Sequence, residues 1–138
     1  MSEPYAIEAE ITAPVYATEV TDRVADAITA IFPSAEPELR HSELHATVHE
    51  LDQFSKRLHQ QAILDTARSV FFRTQQGERF SFRLKKQAAF EGVVNFVVDK
   101  PGELGEISVQ VRVREPSVEE YIDHIAPPTE DGKPVDVG

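Results

Sequence analysis

Arg79-Phe80-Ser81-Phe82-Arg83-Leu84-Lys85 alternates without a break: Phe80, Phe82 and Leu84 are apolar, while Arg79, Ser81, Arg83 and Lys85 are polar or basic. Successive side chains of a strand point to opposite faces of a sheet, so this stretch predicts a half-buried strand with its basic residues in water. Other stretches share the pattern. Ile7, Ala9, Ile11 and Ala13 alternate with Ala6, Glu8, Glu10 and Thr12, and Pro14 closes the run. Ile107, Val109, Val111 and Val113 alternate with Ser108, Gln110, Arg112 and Arg114. Leu44, Ala46 and Val48 against His45, Thr47 and His49 predict a further strand, and Val93–Val98, apolar on both sides of Asn95, predicts another.

Strands whose alternate residues are polar belong to a sheet covered on one face only. The intervening segments supply the cover. Thr18 is placed to cap a helix from Glu19 to Phe32, with Val20, Val24, Ala27, Ile28 and Ile31 as its buried stripe and Pro33 as its stop. Turns are expected at Ser34–Glu38 and Pro101–Gly105. Leu51, Phe54, Leu58, Ala62, Ile63, Ala67, Val70 and Phe71 follow helical spacing, with a break near His59 to Gln61 and an end by Gly77. Ser117 caps a short last helix, Val118–Ile125. The expected fold is α+β in two layers, a single mostly antiparallel or mixed sheet with helices on one face. Residues 1–126 make one domain, and the proline-rich, charged stretch 127–138 is expected to be a disordered acidic tail.

The chain has 138 residues and no cysteine, which excludes disulfides, thiolate metal sites and a cysteine nucleophile. No stretch approaches the roughly 20 apolar residues of a membrane span and Met1–Glu10 does not read as a leader, so a cytoplasmic protein is expected. The net charge is −10, and only five of the 14 basic residues are lysines. Such a balance disfavours indiscriminate nucleic-acid binding and suits a halophilic, salt-rich cytoplasm, with an ordinary acidic mesophile protein as the other reading. The charge is unevenly spread. Between Lys56 and Lys86 stand Lys56, Arg57, Arg68, Arg73, Arg79, Arg83, Lys85 and Lys86 against only Asp65 and Glu78.

His41, His45 and His49 recur every four residues. On a strand such residues lie about 13 Å apart, too far to share one zinc at about 2 Å per ligand, so no metal site is expected. Ser55, Ser69 and Ser81 sit in no nucleophile elbow, and no glycine-rich phosphate loop occurs. Binding rather than catalysis is therefore expected, without a cofactor. In Arg83-Leu84-Lys85-Lys86-Gln87-Ala88-Ala89-Phe90-Glu91-Gly92, lysines and an amide run into a phenylalanine at a connection, where they could meet phosphates and a base or merely solubilise a loop and close the core edge.

Ala13-Pro14-Val15-Tyr16-Ala17-Thr18-Glu19, Ile63-Leu64-Asp65-Thr66-Ala67-Arg68, and Lys86-Gln87-Ala88-Ala89-Phe90-Glu91-Gly92 leading to Asn95-Phe96 carry a resemblance. Together, across Ile7 to Pro127, they resemble an uncharacterised archaeal family described as predicted RNA-binding proteins associated with the exosome. The resemblance implies a fold similar to the large-subunit ribosomal protein that binds 5S RNA, and an RNA-binding role with Arg68, Lys86, Gln87, Phe90 and Asn95 as matching candidates. Where this chain has Ala62 and Val93 the family often has basic residues; their loss weakens phosphate attraction, and Lys85 restores one charge. The functional expectation is thus RNA contact through Arg68, Arg79, Arg83, Lys85, Lys86, Gln87, Phe90 and Asn95. The alternative is a protein-interaction or self-assembly module without nucleic-acid affinity, and the expected partners besides RNA are a second copy in a homodimer or an exosome-related protein.

Overall fold

In the computed structural model, residues 5–98 and 105–130 are described, together with the backbone of 133–134. The strands β1 (Ala6–Pro14), β2 (Glu38–Arg40), β3 (Glu43–Val48), β4 (Arg79–Lys85) and β5 (Glu106–Glu115) form one antiparallel sheet in the order β2-β3-β1-β5-β4. The alternating apolar residues all fall on its inner face: Ile7, Ala9 and Ile11 of β1, Leu44 and Val48 of β3, Phe80, Phe82 and Leu84 of β4 and Ile107, Val109 and Val111 of β5 are buried. Over that face pack α1 (Thr21–Ile31), α2 (Asp52–Gln60), α3 (Leu64–Thr74), the single turn α4 (Lys86–Ala89) and α5 (Val118–Ile125). Phe54 of α2 stacks between Phe32 and Phe82 at ring distances of 5.4 and 4.9 Å, and Phe71 of α3 meets Phe80 at 4.9 Å. The two-layer α+β expectation matches this architecture.

Local departures have physical causes. The first helix begins at Thr21 with no side-chain cap, and Val20 is 60% exposed, so Thr18 does not cap it and Val20 leaves the buried stripe. Glu19 is used elsewhere: it accepts the Tyr16 backbone N–H at 3.0 Å and pairs with Lys86. The long helical pattern breaks at Gln61–Ile63, where Ala62 takes φ 57°. At 38–40 a short strand replaces the end of an expected turn; His41 and Ser42, at φ 50° and 67°, make a two-residue hairpin whose twist suits the flanking strands. His41 therefore lies in a turn, and only His45 of the three histidines lies on a strand.

The strand expected at Val93–Val98 does not form. The Gln61 side chain takes both backbone groups of Val94, donating to its carbonyl at 2.9 Å and accepting its N–H at 2.8 Å. What remains is an irregular segment beside β4, held where the Lys85 N–H donates to Asn95 O at 2.8 Å and the Val97 N–H to Arg83 O at 2.9 Å. It shields part of an edge that would otherwise be open to pairing. Ser117 does cap α5, its Oγ accepting the Glu120 N–H at 3.2 Å. Beyond α5, β6 (Thr129–Glu130) pairs with β7 (Lys133–Pro134), and Thr129 bonds Asp65. Of the expected turn at 101–105 only Gly105 lies within the described residues, as do 127–130 and 133–134 of the expected tail. Among the described residues no helix is long and apolar enough to cross a membrane.

Candidate nucleic-acid interface

With every helix of the described residues on one side, the other face of the sheet is open to water, and strand register decides what it presents. On β4 the outward positions are Arg79, Ser81, Arg83 and Lys85; on β5 they are Glu106, Ser108, Gln110, Arg112 and Arg114. Arg79 stands directly opposite Arg112, Arg83 opposite Ser108 and Lys85 opposite Glu106. Two guanidiniums facing each other across strands repel. Their neighbours offset this in part: Glu78 lies 3.6 Å from Arg112, and Glu8 pairs in register with Arg112 from the β1 side. Arg83 donates to Glu106 at 2.9 Å. The result is a strip two strands wide with Arg79, Arg83, Lys85, Arg112 and Arg114 on its surface.

The other half of the same face is acidic. Glu8 and Glu10 of β1, Glu43 of β3 and Glu38 of β2 point outward, with His45 bonded to Glu43 at 3.0 Å and Arg40 to Glu38 at 3.5 Å. The face is bipolar, basic along β4–β5 and acidic along β1–β3–β2. No Phe or Tyr side chain lies on it among the described residues.

The remaining candidates do not join the strip. Lys86 is completely buried at the start of α4: its Nζ donates to Pro14 O at 2.6 Å and to Glu19 Oε1 at 2.9 Å, and lies 4.8 Å from the centre of the Tyr16 ring. Gly105, at φ +81°, closes the site, since a Cβ there would sit 2.6 Å from the Tyr16 hydroxyl. Arg68 of α3 donates to Asp123 Oδ1 at 2.6 Å and to Ala126 O at 3.1 Å, tying α3 to α5, and covers the Phe72 ring. Phe90 is half-buried against the core, with Arg23 5.8 Å from its ring centre. Gln87 and Asn95 are exposed, and Asn95 is held beside Lys85 by backbone bonding. Sequence reasoning passed over Arg112 and Arg114, which lie far along the chain from the basic segment; the outward alternation of 107–114 was their signal.

A family model described as RNA binding matches residues 8–114. The chain is 35% identical over 143 residues to a UPF0201 protein of Thermococcus kodakarensis, covering 99% of this chain and 100% of that protein. It is 38% identical over 130 residues to a UPF0200/UPF0201 protein of Archaeoglobus fulgidus, covering 94% of this chain and spanning 40% of that longer relative. The crystal structure of a UPF0201 protein from Methanococcus jannaschii superposes with a TM-score of 0.85 at 32% identity, covering 94% of this chain and 99% of that one.

Proposed function

Since this chain belongs to the archaeal UPF0201 family, whose family model is described as RNA binding, we propose that it binds RNA without transforming it, along the β4–β5 half of its open face. The observation that carries the reading is the gathering of Arg79, Arg83, Lys85, Arg112 and Arg114 on one exposed strip of a chain that is otherwise strongly acidic. Guanidinium forks match phosphate geometry, and such contacts hold a nucleic acid without reading its sequence. Gln87 and Asn95, at the Lys85 end, add hydrogen bonds to sugar hydroxyls or base edges. With no Phe or Tyr on the described face, backbone contact outweighs base stacking, and sequence preference is weak. Arg68 and Lys86 contribute by holding elements in place. A binder of this kind fits the exosome setting that the resemblance implies, delivering RNA to a partner that acts on it.

The test is fluorescence anisotropy with single-stranded and duplex RNA over about 50 to 500 mM salt. Four phosphate contacts on a single strand give a slope of about −3 in log affinity against log salt. Arg79→Glu/Lys85→Glu is expected to weaken binding by about tenfold or more at low salt with an unchanged melting temperature. Absence of binding at every salt concentration, or an affinity that the double variant leaves intact, rejects the proposal.

A further inference from the structure

The bipolar face is complementary to itself, and we propose that it is also an interface between two copies of this chain. Register fixes which charges stand level across the sheet. Glu8 is level with Arg112. Glu43 pairs with Pro14, Lys85 pairs with Glu106, and Thr12 pairs with Ser108; two residues beyond Thr12, Pro14 stands beside Glu106, which brings Glu43 level with Lys85. A two-fold axis above the face, parallel to the strands and between β1 and β5, preserves these levels and exchanges left with right. Strand β1 then meets β5 of the second copy, and β3 meets β4. Glu8 faces Arg112 of the second copy and Glu43 faces Lys85, and each pair occurs twice, as an isologous contact requires. The near-parallel alignment of strands is a common way for two sheets to pack face to face.

Size and charge set the strength. Four facing strands, β3, β1, β5 and β4, about 4.8 Å apart and about seven residues long at about 3.3 Å each, give a footprint of about 450 Å² per copy, or about 900 Å² in total, the size of a weak, transient contact. The face is polar, so the association is weak, and its charges fix orientation more than they add affinity. Two chains of net charge −10 repel at a distance, but at about 0.15 M salt that repulsion is screened beyond about 8 Å while facing pairs in contact are not. The dimer covers the basic strip, the carboxylates of one copy occupying the place of phosphates on the other. This inference goes beyond RNA binding and does not depend on it.

Sedimentation velocity of the full chain without RNA, from about 10 µM to 1 mM in about 0.15 M salt, tests it. Wild type is expected to show a reversible monomer–dimer equilibrium. Glu8→Lys/Glu43→Lys and Lys85→Glu/Arg112→Glu are each expected to dimerise about tenfold or more weakly, and an equal mixture of the two to recover that loss as a heterodimer. Both variants stay net negative, so recovery does not follow from opposite total charges. If either double variant is unfolded by circular dichroism, Glu8→Lys and Arg112→Glu serve singly. A wild type that stays monomeric throughout, or a mixture that associates no better than its components, overturns the inference and leaves the RNA reading untouched.

Discussion

Replacing Lys86 by methionine keeps the length of the side chain and removes its charge from a fully buried site. In the wild type the ammonium answers two buried acceptors, Glu19 Oε1 at 2.9 Å and Pro14 O at 2.6 Å, with Lys86 fully buried and the Glu19 side chain 8% exposed. In Lys86→Met the Glu19 carboxylate keeps only the Tyr16 N–H for Oε1, while Oε2 is already buried without a partner. Removing one member of a buried ion pair costs about 3–5 kcal/mol, because the surviving charge is left uncompensated. The retained N–H bond places this case near the lower end, about 3 kcal/mol, which in a domain of this length lowers the melting temperature by about 10 °C. Urea titration followed by circular dichroism measures the loss. Glu19→Gln/Lys86→Met should be more stable than Lys86→Met alone, since it removes the stranded charge. Lys85→Met, one residue away but exposed, should change stability by less than about 0.5 kcal/mol while weakening RNA binding. A Lys86→Met protein of wild-type stability that has lost RNA affinity would refute the assignment of Lys86 to the interior and return it to the interface.

Gln61→Ala removes the side-chain amide that stands in for a neighbouring strand along Val94. It should destabilise the domain by about 1–3 kcal/mol and speed amide exchange at Val94, and unchanged exchange there would show that the segment is held by other means. The Glu119 carboxyl is held below its ordinary value, chiefly by the hydrogen bond from the Gln75 side chain at 2.6 Å and further by a backbone hydrogen bond. A depressed carboxyl stabilises the fold above its unfolded value of 4.5 and loses that contribution as pH falls through the folded value. Gln75→Ala should therefore lie below wild type in melting temperature at neutral pH, with the gap closing as pH falls below 4.5 and through the folded value. Curves that stay parallel throughout the acid range would reject the coupling.

The fold was legible wherever a single period held over a whole element. Period-2 alternation placed β1, β3, β4 and β5, and helical spacing with Ser117 placed α5, because burial on one face leaves a mark at each repeat. It failed where a side chain took over a backbone role. Val93–Val98 has the composition of a strand, yet its hydrogen bonds at Val94 go to Gln61, more than thirty residues upstream, and no local pattern encodes that meeting. Thr18 has the right chemistry for a cap, but Glu19 beside it is drawn to Lys86, so the helix starts later. Both misses are long-range contacts overriding a sound local preference.

The site obeyed the same rule in reverse, because a cluster of charge in sequence becomes a cluster in space only when the backbone period gathers it. On α3, Arg68 and Arg73 are five residues apart, about 500° around the axis, so they leave on different faces, and Arg68 is taken up by Asp123. On β4 the spacing of two keeps Arg79, Arg83 and Lys85 on one face, and Lys86, one step out of phase, goes inward. Phase therefore separates Lys85 from Lys86 more sharply than any difference in their chemistry. The strip is completed by Arg112 and Arg114, which reach it only because β5 pairs with β4. Of the eight basic residues between Lys56 and Lys86, those that matter to a partner on the open face are the ones a strand lifts onto it, and the rest are spent on holding the helices in place or lie on the opposite layer.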